Sequence, residues 1–279
     1  MTIYLSTARR AVSTTLLILA IAVAQSAVAA PSASGKSFDL SANVSLAGIP
    51  ILTVDPNDVV AFGDLTVAFN DSKLQQNFSV GDPTTAQLVA SDLSTATQWL
   101  PSDTFLAVGS RATAANVALT VLNPDLILDA NVKLLDLKAT QIQATAIVTG
   151  TCPPAEVLAK KASKTTPNTD VVDDFIFQSE FEIQNLTQTN TSDIPGLEVD
   201  VDGTPLLNIP ANPAPNTSIA IGTIGTLWLN KQSVTGDGIV SLSSTVDGLL
   251  LHVDLAIASI HLLVADVNIS HTEASITCN

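Results

Sequence analysis

From Phe38 onward the chain alternates. Phe38, Leu40, Ala42 and Val44 are apolar, with polar residues between them, which is the period-2 signature of a half-buried β-strand. Gly48-Ile49-Pro50 interrupts this run and Ile51 to Val54 resumes it. Val59 to Phe69 reads as a further strand region with Gly63-Asp64 as its turn. Ala112 to Val148 is strongly β. Asn116 to Val121 leads to a turn at Asn123-Pro124-Asp125, after which Ile127 to Leu137 and Ala139 to Val148 alternate. Ile142, Ala144, Ala146 and Val148 fall on one side. The alternation changes phase at Leu134-Leu135, which predicts a bulge or a bend. Phe175 to Leu186, Ile219 to Leu229, Ile239 to Val246 and Leu249 to Ile276 complete the strands. In the last of these, Leu249, Leu251, Val253, Leu255 and Ile257 share one face, and His252, Asp254, Ala256 and Ala258 share the other.

One stretch follows a different period. Ala86, Val89, Ala90, Leu93, Ala96 and Leu100 recur at three and four, after Asp82-Pro83 and before Pro101. That spacing predicts a helix over 84–100. The segment from Ser192 to Thr217 is rich in proline, which confines its strands to edges and turns. The expected fold is all-β, a β-sandwich with Greek-key-like connections and at most one or two short helices; a β-solenoid is the alternative. Gly48 to Val54 and Gly203 to Ile209 share a pattern of G-x-P, two aliphatics, a polar residue and a β-branched one. They read either as equivalent hairpins in two halves of a sandwich or as chance similarity between Gly-Pro turns.

Composition adds the compartment. The first thirty of the 279 residues carry Arg9 and Arg10, an apolar run from Leu16 to Val23, and Ala27-Val28-Ala29-Ala30. This is a secretory signal with an A-x-A cleavage site. The domain organisation is therefore a signal peptide (1–30) and a β-rich domain (31–279), either single or in two halves (31–152 and 172–279) joined by a polar loop (153–171). The only Met and the only Tyr, Met1 and Tyr4, lie in the signal. The net charge of −15 becomes more negative without Arg9 and Arg10. So acidic a chain is a poor partner for nucleic acid, and a 46% hydrophobic content is too apolar for disorder. An exported chain with two cysteines, Cys152 and Cys278, most simply forms one disulfide; free or intermolecular thiols are the rival reading. Leu249 to Val267 is apolar enough to suggest a membrane span, but it contains His252, Asp254, His261 and Asp266, which are costly in a bilayer. No transmembrane helix is expected in the mature chain. Neither an apolar tail nor a basic stop follows Cys278, so no C-terminal anchor is expected.

Candidate chemistry is sparse. His252 and Asp254 form an H-x-D pair on one strand face, from which both side chains could reach one ion; a metal would need two further ligands. Asp200-Val201-Asp202-Gly203 looks like a fragment of a calcium loop, although the full loop with its terminal Glu is absent and Asp and Gly also make turns. Asp200, Asp202, His252 and Asp254 are thus the metal candidates, while no resident metal or cofactor is expected. No G-x-S-x-G elbow occurs; Val108-Gly109-Ser110-Arg111 reads as a Gly-Ser turn. Cys152 is disfavoured as a nucleophile by oxidation. Paired carboxylates of a glycoside hydrolase are invisible in sequence, and only Trp99 and Trp228 could serve as indole platforms for sugars. Lys160, Lys161 and Lys164 read as a solvated loop, and Asp173-Asp174 as a solvated edge. Sequons occur at Asn43, Asn70, Asn77, Asn185, Asn190, Asn216 and Asn268.

Several segments together carry a resemblance. Ser34-Gly35-Lys36-Ser37-Phe38 with Asn43 to Pro50, Leu134 to Ala139 running on to Gly150-Thr151-Cys152, and Val201 to Pro205 are three of them. Pro215-Asn216-Thr217, Leu229 to Gln232, Asp254 to His261 and Cys278 follow in order. The chain resembles the choice-of-anchor P family of exported bacterial proteins over most of 34–279. The resemblance implies an exported β-rich domain, often joined to a C-terminal sorting anchor, and carries no established catalytic residues. The chain departs from it in showing no sorting motif after Cys278. The expected function is a secreted or cell-surface, non-enzymatic structural or adhesive protein. Its partner classes are extracellular matrix, an envelope component or another surface protein. A carbohydrate- or calcium-binding module and a secreted hydrolase with unrecognised carboxylates are the alternatives.

Overall fold

A computed structural model describes residues 31–56, 59–64, 69–101, 105–122, 133–153, 186–201, 204–205, 209, 211–257 and 260–278. The expected signal peptide, the turn expected at Asn123, the loop expected to hold Lys160, Lys161 and Lys164, Asp173-Asp174 and the strand expected from Phe175 lie outside them. In chain order the strands are β1 (Ser32–Leu46), β2 (Ile49–Val54), β3 (Val59–Asp64), β4 (Phe69–Asp82), β5 (Ala86–Pro101), β6 (Leu106–Leu122) and β7 (Lys133–Gly150). There follow β8 (Thr187–Asp193), β9 (Glu198–Val201), β10 (Thr204–Pro205), β11 (Thr217–Ile221), β12 (Gly225–Gly236), β13 (Ser241–Ile257) and β14 (Ile260–Thr277).

These strands form two antiparallel sheets packed face to face, a β-sandwich with no helix among the described residues. The terminal sheet has the order β11-β12-β13-β14-β1-β2, with β3 also on β1; the middle sheet has the order β10-β9-β7-β6-β5-β4, with β8 also on β7. Each sheet draws strands from both sides of the 153–171 segment. Leu46 pairs with Ile49 across Ala47 (φ 48°) and Gly48 (φ 79°), a two-residue turn with two left-handed positions that joins β1 to β2; such turns match the strand twist. At the other end of the chain Cys278 is bonded to Cys152, with Cα atoms 5.4 Å apart. This disulfide ties the end of β14 to the end of β7, and therefore one sheet to the other. Closing a loop over a separation of 126 residues is worth about 4–5 kcal/mol in the chain-entropy model.

Neither sheet keeps one phase of alternation. In β1 the inward positions are Ala33, Gly35 and Ser37, then both Asp39 and Leu40, then Ala42 and Val44, all buried, while Phe38 is buried on the outer face against His271. The same doubling occurs at Leu229-Asn230, Gly248-Leu249 and Ile269-Ser270. The ladders explain it. Leu249 pairs with Leu229 and Ile269, and Ile269 with Leu40; beyond a gap, Asp247 pairs with Lys231 and His271, and His271 with Phe38. Asn230, Gly248, Ser270 and Asp39 fill that gap as one transverse row, turned inward. Asn230 (φ 51°) and Ser270 (φ 62°) are left-handed, a conformation that flips the following side chain and that Asn tolerates better than most residues.

The middle sheet inverts along the same line in the opposite sense. Ala90 and Leu93, Ala114 and Val117, and Ala139 and Ile142 are successive buried positions, all at most 4% exposed. Two residues between each pair turn outward instead of one. The unpaired row is Asn77 (φ 53°), Ser91, Asn116 (φ 47°) and Thr140. One sheet therefore has an inward row too many where the other has one too few, and the two interlock. Ser270 Oγ donates to Ile142 O at 2.7 Å. A Cβ added at Gly248 would lie 2.8 Å from Ile142 Cγ2. The Asp39 carboxylate reaches the backbone N–H groups of Ser94 and Thr113. On either side of this seam lies an apolar cluster, a larger one around Leu40, Leu119, Leu137 and Leu251 and a smaller one around Trp99, Val148, Ile276 and Cys278.

Three expectations are corrected. Residues 84–100 are not a helix: Ala86 to Pro101 is strand β5. Its buried positions run Ala86, Leu88, Ala90 and then Leu93, Thr95, Thr97, Trp99, so the inversion at Ser91 inserts a spacing of three that imitates helical period. Gly63-Asp64 belongs to β3, not to a turn. Gly109-Ser110 lies inside β6 with Ser110 buried, not in a turn. The bulge expected at Leu134-Leu135 is present: Val121 pairs with Leu135 but Leu122 with Lys133, which leaves Leu134 over.

The interlock gives a test. Gly248→Ala should destabilise the protein by about 1–3 kcal/mol through overpacking, measured by urea denaturation. In Gly248→Ala/Ile142→Ala the loss should be smaller than the sum of the two single losses, because the added methyl then enters the space Ile142 vacates.

Candidate functional site

The missing outward row leaves its mark on the outer face of the terminal sheet. One row there holds Trp228, Leu250, Asn268 and Ser41; the next holds Lys231, Asp247, His271 and Phe38. No side chain stands between them, because the intervening pairs all turn inward. Flanking groups bridge the vacancy. Lys231 Nζ sits 5.7 Å from the Trp228 ring centroid, and Asn268 Nδ2 donates to Asp247 Oδ1 at 2.9 Å. On the other side of the first row, toward His252 and Asp266, lies a depression of about 340 Å³ lined by Ser41, Trp228, Lys231, Leu250, His252 and Asp266, with Leu251 and Val267 between that row and theirs. It combines an indole and an isobutyl group with an ammonium, an imidazole, a carboxylate and a hydroxyl.

All three histidines lie on β13 and β14, and each is paired to an aspartate through Nδ1. His252 donates to Asp266, His261 to Asp254 and His271 to Asp247, each at 2.6 Å. His252 and Asp254 do share an outer face, as expected, but they do not converge on one point: each turns to a partner on β14. For His252 and His261, 57% and 61% exposed, the aspartate fixes the tautomer and leaves Nε2 as the outward lone pair when the ring is neutral. Asp200 is half-buried in β9 opposite Asp136, with one carboxylate oxygen unpartnered; Asp202 lies outside the described residues. Among the described residues no three His, Cys, Asp or Glu side chains come together to hold a metal ion.

His271 differs from the other two. Its ring stacks on Phe38 with centroids 4.6 Å apart, and Nε2 donates to Glu273 at 2.8 Å. Burial disfavours the imidazolium, but hydrogen bonds to Asp247 and Glu273 outweigh it and raise the pKa to about 9. On the inner side Asp39 moves in an unusual direction for a carboxyl group. Burial between the sheets pushes it up to about 7, against the downward pull of the Thr113 and Ser94 backbone. It is the one carboxyl raised in this way among the described residues, and it lies in the core, 2% exposed, outside any cleft.

Of the two tryptophans, Trp99 is a core residue at 1% exposure and offers no platform for a sugar; Trp228 does. Several sequon asparagines have structural work. Asn77 and Asn216 are left-handed, Asn190 links Ser244 to Gln232 between the sheets, and Asn268 bonds Asp247. Asn43 is exposed on the outer face of the terminal sheet, opposite Asp266. The depression itself was out of reach of sequence reading, which noted Trp228 and His252 separately but had no reason to bring them together. No helix among the described residues is long and apolar enough to cross a membrane. Comparison of the chain with protein-family models and with curated proteins gave no match.

Two titrations should be measurable. The folded pKa of Asp39 lies above its unfolded value of 3.8, so the native state holds this proton where the unfolded chain has lost it. Stability falls as pH rises from about 4 through 7. Asp39→Asn should therefore stabilise the protein at pH 8, by about 2–4 kcal/mol, with little gain at pH 4, in denaturation curves at both values. The folded pKa of His271 is raised above 6.5 to about 9, so its contribution is full below 6.5 and lost as pH rises through 9. His271→Gln should cost about 2 kcal/mol at pH 6, and its stability should converge with wild type by pH 10.

Proposed function

We propose that the protein is an exported, non-enzymatic structural or adhesive β-sandwich that engages a partner through the outer face of its terminal sheet. The observation that carries this reading is the depression beside Trp228, an amphipathic surface on a broad sheet face. The groups around it are paired with one another, in place of a cleft holding a free nucleophile or an unpaired acid. The Cys152–Cys278 disulfide is compatible with an oxidising, extracytoplasmic compartment, and the signal-like residues 1–30 and the resemblance to the choice-of-anchor P family support the same location. An envelope component, extracellular matrix or another surface protein is the partner class; the net charge of −15 argues against nucleic acid.

The test is a binding assay of labelled protein on intact cells, isolated envelope and matrix. Leu250→Lys and Thr226→Lys, on the outer face of the terminal sheet, should weaken binding at least tenfold. Thr145→Lys, on the outer face of the middle sheet, should leave it unchanged. Equal binding by all three variants, or no binding by the wild type to any of these surfaces, overturns the reading.

A further inference from the structure

Resting on that reading, we propose that the depression beside Trp228 is a binding site for an uncharged saccharide. Its floor and walls have the two-sided chemistry that a sugar ring requires. Trp228 and Leu250 are Cα partners on neighbouring strands and present an apolar surface of the size and flatness of a pyranose C–H face. Around them stand groups that exchange hydrogen bonds with hydroxyls: the Ser41 hydroxyl, the Lys231 ammonium, His252 Nε2 and the second oxygen of Asp266. The last two are available because His252 Nδ1 and Asp266 Oδ1 bond each other, which holds both side chains in place. The volume of about 340 Å³ lies within the range of small-molecule sites, about 300–1,000 Å³.

The choice of an uncharged ligand follows from the charges. Lys231 and Asp266 both line the hollow, so it holds one fixed charge of each sign and no surplus of either. An acidic glycan would also have to approach a chain with a net charge of −15. Lys231 covers the indole in the free protein at 5.7 Å from the centroid. Such an exposed contact is worth about 0.5–1 kcal/mol, so a sugar ring can displace the ammonium, which then turns to a hydroxyl.

The two tryptophans and the absence of Tyr beyond residue 4 make the test direct. Trp99 is sealed in the core and Trp228 lies in the site, so ligand binding reads out as a change in Trp228 emission. The protein is titrated with neutral hexasaccharides of glucose (α- and β-linked), N-acetylglucosamine, mannose and xylose, and with hexagalacturonate as the acidic counterpart. A saturable emission change with at least one neutral oligosaccharide is expected, with hexagalacturonate at least tenfold weaker. Calorimetry should show that affinity lost in Trp228→Ala. Ser41→Arg, which fills the hollow while leaving the indole and the core intact, should lose it too. Thr145→Lys, on the outer face of the middle sheet, should change affinity by less than threefold. No saturable change with any neutral sugar, stronger binding of hexagalacturonate, or unchanged affinity in both Trp228→Ala and Ser41→Arg overturns the proposal. If binding to cells or envelope persists in these two variants while no oligosaccharide binds, the saccharide site falls and the adhesive reading stands.

Discussion

The structure depends on a matched change of phase. A β-strand alternates its side chains between two faces, so a strand that inverts its phase gains a residue on one face and loses one on the other. In this sandwich eight strands invert along one line, four in each sheet and in opposite senses. Either inversion alone would drive a row of side chains into the facing backbone or leave a row of voids. Together they let Asp39, Gly248 and Ser270 enter the space left between Ala90, Val117 and Ala139 on one side and Leu93, Ala114 and Ile142 on the other. The apolar clusters on either side supply burial, which is non-directional. The seam supplies direction. Hydrogen bonds such as Ser270 to Ile142 O and the contacts among Ser37, Thr97 and Ser110 are satisfied only in one register of sheet on sheet, and a buried polar group left unpaired is costly.

Most of the architecture was legible because alternation is a local signal. The strand faces of Leu40 to Val44, Ile142 to Val148 and Leu249 to Val253 read correctly, as did the bulge at Leu134, since each needs only one strand to be seen; Phe38 did not, for it lies on the outer face with His271 and not with Leu40. The seam was not legible, for a physical reason: a phase change in one strand is ambiguous until its neighbours show the same change in the same row. In β5, with no neighbours to compare, the break between Ala90 and Leu93 took on the spacing of a helix. A signal was nevertheless present. Asn77, Asn116 and Asn230 stand where left-handed backbone is needed, and in sequence the first of these read as a glycosylation acceptor. The site escaped for a related reason. His252 and Asp254 share a face, as period-2 reasoning required, but which residue each one meets is set by the β13–β14 register, and that register places Asp266 and His261 beside them.

The seam also shapes the response to pH. Asp39 belongs to it directly, and His271 adjoins it. A carboxyl raised to about 7 and an imidazole raised to about 9 both favour the protonated native state, so both contributions are lost as pH rises. Asp136, held by Lys133 and Lys138, and Glu273, held by His271, have lowered pKa values. They act oppositely, losing their contribution as pH falls below the ordinary carboxylate range. The four together place greatest stability near the upper end of that range, because the Asp39 contribution already declines as pH rises from about 4 through 7.

The two outer faces show why the vacancy matters. In the middle sheet the inversion produces a surplus of outward side chains, and local bonds absorb it. Asn116 donates to Ser91, Ser91 to Ala115 O, and Thr140 N to Pro195 O. In the terminal sheet it produces a deficit, which flanking side chains bridge: Lys231 lies over the Trp228 ring and Asn268 bonds Asp247. The hollow on the other side of the Trp228 row holds one fixed charge of each sign, Lys231 and Asp266. The row that joins the two sheets on the inside is thus the row whose absence draws Lys231 and Asn268 across the surface outside, and a substitution that restored an outward side chain there would weaken the packing between the sheets.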